Sequence, residues 1–115
     1  MRRGEICWGP PALPSGSRKR RPFLVVSNDA FNKNEGYPKV MVVHLTSVTR
    51  SLGPFRWEVE VPRGVAGLPN ASVVKCSEVY TLLKSHLGEY LGALPATYLE
   101  RVDRALATAL GLALR

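Results

Sequence analysis

Four consecutive cations at residues 18–21 run directly into Pro22 and an apolar stretch over residues 23–26. A proline fixes its own φ and pushes the preceding residue toward an extended conformation, so the backbone aims the Arg21 side chain. A guanidinium group binds phosphate in a bidentate manner and stays charged. The pattern therefore indicates a basic rim beside a buried strand, where a polyanion such as RNA could be held. A solvated charge run flanking a strand is the alternative interpretation.

The charge of the whole chain points the same way. Its 115 residues include 16 Lys and Arg against 9 Asp and Glu, a net charge of +7. Six cations and a single carboxylate fall within residues 1–22, so the excess is local. Such a balance favours an acidic partner, which can be nucleic acid, an anionic membrane surface or an acidic protein segment.

The length predicts a single domain over residues 1–115. We expect no secretory signal, because only a few apolar residues follow the first charged residues before Pro10, and the longest apolar run, near residues 105–114, is far shorter than the ~20 residues that span a bilayer. We therefore expect a cytoplasmic protein without a membrane partner. Cys7 and Cys76 have no metal-ligand spacing, and in that compartment we expect buried thiols.

Apolar patterning predicts several short strands and one helix. We expect strands over residues 5–8, 23–27, 40–45, 56–61, 72–82 and 88–92, a helical turn capped near residues 27–29, and a helix from Pro95 that packs Leu99, Val102, Leu106 and Leu110 on one face. This order predicts a mainly β fold, a small and strongly bent antiparallel sheet or barrel with a C-terminal helix. No Gly-rich phosphate loop opens a helix, so a nucleotide cofactor is not indicated.

Six short motifs follow one another along essentially the whole chain. They are Arg3-Gly4-Glu5-Ile6, Arg21-Pro22 with Ser27-Asn28-Asp29, Leu45-Thr46-Ser47, Gly67-Leu68-Pro69 with Ser72-Val73-Val74, Glu78-Val79-Tyr80-Thr81, and Lys84-Ser85-His86-Leu87-Gly88. In this order and spacing they resemble the MazF/PemK toxins, the mRNA interferases of toxin–antitoxin systems.

The resemblance implies a fold, an activity and partners. The fold would be an SH3-like barrel that forms a homodimer. The activity would be sequence-specific endoribonuclease cleavage of single-stranded RNA, without a metal or other cofactor. The protein partner would be a cognate antitoxin with an acidic C-terminal segment. By the same resemblance, Arg21 and Thr46 match the two catalytic positions.

The chemistry of metal-free cleavage assigns roles to the remaining polar residues. The RNA 2′-OH must lose its proton, the pentacoordinate phosphorane must be stabilised, and the 5′-oxygen must be protonated. Arg21 suits the second task, because its high pKa makes it a poor base, and Thr46 can donate a hydrogen bond to the same phosphate. The predicted RNA-binding residues are Arg18, Lys19, Arg20, Ser47, Thr49, Arg50, Glu78, Lys84 and His86.

Five residues carry open alternatives. Glu78 reads a base edge or holds Arg21, and Trp8, Trp57 or Tyr80 either stacks on a base or belongs to the core. His44 lies on the same side of its strand as Thr46, where the family usually has proline, and acts as a proton shuttle or a core residue. The loop before Arg21 departs from the family by reading Gly16-Ser17-Arg18-Lys19.

Two other functional classes remain open at this point. The same barrel supports toxins that poison DNA gyrase through protein contacts, because fold alone does not fix function. A non-catalytic RNA-binding module would keep the basic patch without turnover.

Overall fold

The apolar runs of the sequence become the strands of one six-stranded antiparallel sheet in a computed structural model, which describes residues 1–10, 20–48 and 54–113. The strands are Glu5–Trp8 (β1), Pro22–Val25 (β2), Lys39–Ser47 (β3), Glu58–Val61 (β4), Ser72–Leu83 (β5) and Tyr90–Ala93 (β6), and the helices are Asp29–Asn32 (α1) and Ala96–Leu110 (α2). The strand order is β4-β5-β3-β2-β1-β6. No helix in these ranges is long and apolar enough to cross a membrane.

The central strands bury side chains on both faces of the sheet. Leu24 and Val43 belong to a large core beneath α2, which Val102 of that helix completes. Phe23 and Val42, one residue earlier on β2 and β3, belong to a second cluster on the other face. This alternation follows from the period of two in a strand, and it explains why these segments read as continuous apolar runs.

The sheet curls until the region after β4 meets β6. A short 3-10 turn over Val65–Gly67 follows β4 and packs on β6. A Cβ atom on Gly67 would lie 2.4 Å from the carbonyl oxygen of Leu91, and one on Gly92 would lie 2.7 Å from that of Ala66. Only glycine permits this backbone approach, because it has no Cβ.

Most of the predicted elements are confirmed, including the mainly β fold, the strongly bent sheet and the C-terminal helix. β1 has the predicted bounds, and Asn28 caps the short α1 by accepting a hydrogen bond from the Ala30 N–H. The prediction that Leu110 packs on the sheet is wrong, because 62% of its surface is exposed in the last turn of α2.

Candidate functional site

Arg21, just before β2, and Thr46, near the end of β3, line one cavity at the same end of the sheet. The two strands pair Phe23 with His44 and Leu24 with Val43. Extending this antiparallel register by two residues sets Arg21 across from Thr46. Directly opposed residues have Cβ atoms about 5 Å apart, so the two side chains leave the sheet side by side.

A cavity of about 120 Å³ opens at this end of the sheet. Arg20, Arg21, Thr46 and Ser47 line it, so four of the predicted site residues share one recess. Its other lining residues are Trp8, Pro22, Leu45, Pro69, Asn70 and Ser72. Guanidinium, hydroxyl and amide groups together can bind a phosphate and the edge of a base.

The backbone on either side of Arg21 is held in place. Its carbonyl oxygen accepts a hydrogen bond from the Gly9 N–H at 2.9 Å, and Pro22 pairs with Trp8 of β1. A Cβ on Gly9 would lie 2.0 Å from the Phe23 ring, so this position requires glycine. The Arg21 Nε is buried and finds no acceptor among the described residues. A buried donor without a partner is energetically costly, which favours an anionic ligand here.

Arg20 lies at the rim of the same cavity, above an aromatic surface. Its guanidinium carbon is 5.2 Å from the centre of the Trp8 ring, a cation–π distance. Gly88 lies against both residues, because a Cβ there would be 3.2 Å from an Arg20 nitrogen and 3.2 Å from the Trp8 carbonyl oxygen. A cation stacked on an indole at the cavity rim suits contact with a nucleobase or with a phosphate.

His44 lies at an irregularity in the sheet. β3 and β5 pair Val43 with Val79 and then Leu45 with Val74, so His44 alone faces residues 75–78. The bulge turns Glu78 toward the imidazole, and its Oε2 is 3.2 Å from the His44 Nε2. Glu78 therefore contacts His44. The alternative prediction was that Glu78 holds Arg21, but the described residues show no ion pair between these two side chains.

The surroundings of His44 keep its imidazole neutral. Burial is the main cause that lowers its pKa below the ordinary value of 6.5, and the positive charges of Arg21 and Lys75 lower it further. Glu78 acts in the opposite direction. The ring packs among aromatic side chains, with its centre 5.6 Å from that of Tyr80 and 6.1 Å from that of Phe23.

The remaining predicted site residues fall into two groups. Lys84 and His86 lie in a 3-10 turn after β5 and are not among the residues that line the cavity. The Lys84 ammonium donates hydrogen bonds to the carbonyl oxygens of Phe31 and Asn34, at 2.7 and 2.8 Å. Arg18, Lys19, Thr49 and Arg50 lie outside the described residues.

Two polar residues of the cavity were missed by sequence reasoning. Asn70 and Ser72 line it, and Ser72 is buried while its hydroxyl donates to the Asn70 carbonyl oxygen at 2.8 Å. The β3–β5 register pairs Ser72 with Ser47, which brings this turn to the cavity. The sequence does place Ser72 at the start of a strand. It does not show that Ser72 pairs with Ser47, because that pairing depends on the register of the sheet.

The cysteine thiols are confirmed as buried and free. Burial raises the pKa of Cys76 to about 12 and raises that of Cys7 as well. Thiols in this state are poor nucleophiles, so neither cysteine is a candidate nucleophile.

Comparison with known proteins identifies the family. Residues 2–110 match the model of the PemK-like, MazF-like toxins of type II toxin–antitoxin systems. The chain belongs to this family. It is 37% identical over 112 residues to the endoribonucleases MazF6 of Mycobacterium tuberculosis and MazF2 of Mycobacterium bovis, with 96% of each chain covered.

Solved structures of MazF toxins have the same fold. A mycobacterial endoribonuclease in complex with its cognate antitoxin aligns with a TM-score of 0.78 and 30% identity, over 100% of this chain and 99% of that one. The MazE–MazF complex of Deinococcus radiodurans aligns with a TM-score of 0.72 and 29% identity, over 98% and 97% of the two chains.

Proposed function

We propose that this MazF-family protein is an endoribonuclease toxin that cuts single-stranded RNA through the RNA's own 2′-OH, without a metal. The observation that carries the proposal is that Arg21 and Thr46 line the same cavity. The 2′-oxygen attacks the adjacent phosphorus while the bond to the 5′-oxygen breaks. The products are a 2′,3′-cyclic phosphate and a 5′-OH.

Arg21 supplies charge stabilisation in this reaction. Its partly buried guanidinium can bind two non-bridging phosphate oxygens, and their negative charge grows as the phosphorane forms. The unpaired Nε supports this role, since a phosphate would provide the acceptor that the described residues lack. Because the charge increases in the transition state, the contact favours catalysis over substrate binding alone.

Thr46 and the cavity rim orient the strand. The Thr46 hydroxyl donates to the phosphate that Arg21 holds, and Ser47 lies next to it. Arg20 on Trp8 provides a cation and an aromatic face for the neighbouring nucleotide. The other cations predicted from sequence, Arg18 and Lys19, would add electrostatic attraction that weakens as salt rises.

Charge also supports the proposed protein partner. A net charge of +7 suits a cognate antitoxin whose acidic C-terminal segment covers the RNA-binding surface. MazE–MazF complexes among the structural relatives support such a partner, and we propose that the active form is a homodimer, as the family resemblance implies.

The test is cleavage of a long single-stranded transcript by the purified protein, once in EDTA and once in magnesium. We expect equal cleavage in both, at a limited set of sites that primer extension maps to one short motif. Fragments should resist 3′-end ligation until the cyclic phosphate is opened and the resulting phosphate is removed, and should accept a 5′ phosphate from a kinase directly. Strict magnesium dependence, or 3′-OH ends, would sink the mechanism.

A further inference from the structure

The His44–Glu78 contact is a polar pair that the roles of Arg21 and Thr46 leave unused. Both nitrogens of His44 are buried, and Nδ1 has no hydrogen-bond partner among the described residues. Nε2 is 3.2 Å from Oε2 of Glu78, but lies off the line of a well-formed hydrogen bond. The Glu78 side chain is 43% exposed, so a small rotation of its carboxylate would align the two groups.

This pair shares a face of the sheet with the two proposed catalytic residues. Side chains two residues apart on a strand point the same way, so His44 lies on the side of Thr46, and Phe23 on the side of Arg21. Phe23 and His44 are cross-strand partners, and the row of Arg21 and Thr46 follows about 7 Å further along the strands. Glu78, which faces His44, thus lies one row from Arg21 and Thr46; it does not itself line the cavity, and its side chain is 43% exposed.

The pair comprises a group that stays in the protein and a group that can reach RNA. His44 is 6% exposed and is enclosed by the rings of Phe23 and Tyr80. The charged groups that act on it are Glu78 and Lys75 of β5 and Arg21 before β2. A neutral imidazole in these surroundings can orient a carboxylate without cancelling its charge.

We propose that the Glu78 carboxylate, oriented by the buried His44, accepts the 2′-OH proton of RNA bound at Arg21 and Thr46. This inference rests on the proposed function. As the 2′ O–H bond breaks, its proton passes to Glu78 and its electron pair forms the bond to phosphorus. The bond between phosphorus and the 5′-oxygen then breaks, and the leaving oxygen takes a proton from water. Glu78 returns its own proton to water.

The two residues have different tasks in this step. Glu78 touches the reacting oxygen and is a catalytic residue. His44 acts through Glu78 and is a positioning residue. Because the pKa of His44 is lowered, mainly by burial, the imidazole is neutral at neutral pH. On acidification it becomes a cation that pairs with Glu78 and makes the carboxylate a weaker base, so the rate should fall.

The experiment compares Glu78→Gln with wild type in single-turnover cleavage of one transcript, in EDTA, from about pH 5 to about pH 9. Binding is measured separately with the same sequence carrying 2′-O-methyl groups, which cannot attack. We expect Glu78→Gln to lower the rate by about 10²–10⁴-fold at unchanged affinity, because removing a general base has this effect. Glu60→Gln, an exposed carboxylate on β4, is the matched control and should behave as wild type.

His44 is tested by two substitutions. His44→Gln keeps a hydrogen-bond donor for the carboxylate, whereas His44→Leu removes it. We expect His44→Gln to be the more active variant. In both variants, the fall in cleavage rate at low pH that protonation of His44 causes should be absent.

Two results would overturn the inference and leave the proposed function standing. One is a Glu78→Gln variant that cleaves as fast as wild type with the same pH profile. The other is a variant whose rate and affinity fall in proportion, which would make Glu78 a binding residue only. If the wild type itself does not cleave RNA, the proposed function fails and the inference fails with it.

Discussion

The two faces of the sheet differ in how completely their polar groups are paired. The face beneath α2 is an apolar core of residues from every strand region and the helix, with Leu24, Val74 and Val102 fully buried. Asp103 of α2 forms an ion pair with Arg3 at 2.7 Å, and the Arg3 Nε donates a hydrogen bond to the Val26 carbonyl oxygen at 2.9 Å. The two charges of this pair are matched within the chain.

The opposite face has a smaller core and polar groups that the described residues leave incomplete. Phe23, Val25 and Val42 are buried there. At its end, however, the Arg21 Nε and both His44 nitrogens are buried without a well-formed hydrogen bond. Unpaired buried donors reduce stability, and proteins retain them where a ligand completes the pairing. The contrast indicates that one face maintains the fold and the other carries the chemistry.

Removing the Arg21 guanidinium should have the greatest effect on cleavage. Arg21→Ala should lower single-turnover cleavage by about 10²–10³-fold, the effect of losing one preorganised charge-stabilising donor. RNA affinity should fall much less, because other cations remain, and the urea midpoint should stay near that of wild type. Arg20→Ala is the matched control, since it removes an adjacent cation and should weaken binding more than turnover. Equal loss of rate and affinity in Arg21→Ala would contradict the assignment.

The converse change lies on the helix face of β2, three residues after Arg21. Leu24→Ala should destabilise the protein by about 2–5 kcal/mol, because it leaves a cavity in a fully buried position. The cleavage rate per folded molecule should remain that of wild type at low temperature. Urea denaturation measures the first quantity, and cleavage corrected for the folded fraction measures the second. A large loss of rate in fully folded Leu24→Ala would show that the faces are not separable.

The fold was largely predictable because it depends on local pattern. The apolar run after Pro22 and the alternation over Glu58–Val61 each predict a strand from a few neighbouring residues, and the structure has both. The predicted packing of Leu110 was wrong, because helical periodicity continues into the last turn of α2, where the Leu110 side chain is exposed.

The site was predictable only in part, because register is not local. Arg21 comes just before β2 and Thr46 lies next to the last residue of β3. The family resemblance pointed to both residues. The contact between His44 and Glu78 depends on a slip in the β3–β5 pairing. That slip reverses which β5 side chains face α2: Cys76 faces the helix side and Tyr80 the other side. The sequence of β5 reads as one continuous strand, so nothing in it places the slip.

Burying His44 should make a small contribution to the pH dependence of the stability. Its pKa is lower in the folded protein than the ordinary 6.5, so the unfolded chain binds a proton that the folded chain does not. Stability is therefore full above about pH 6.5 and declines as pH falls toward the folded pKa. His44→Leu should lose this decline, whereas His86→Gln, which removes an exposed imidazole, should keep it. Urea denaturation at about pH 7.5 and about pH 5.5 measures the difference. If the decline persists in His44→Leu, burial does not hold the His44 imidazole neutral. The face opposite α2 would then lack the buried titrating group that distinguishes it from the face beneath α2.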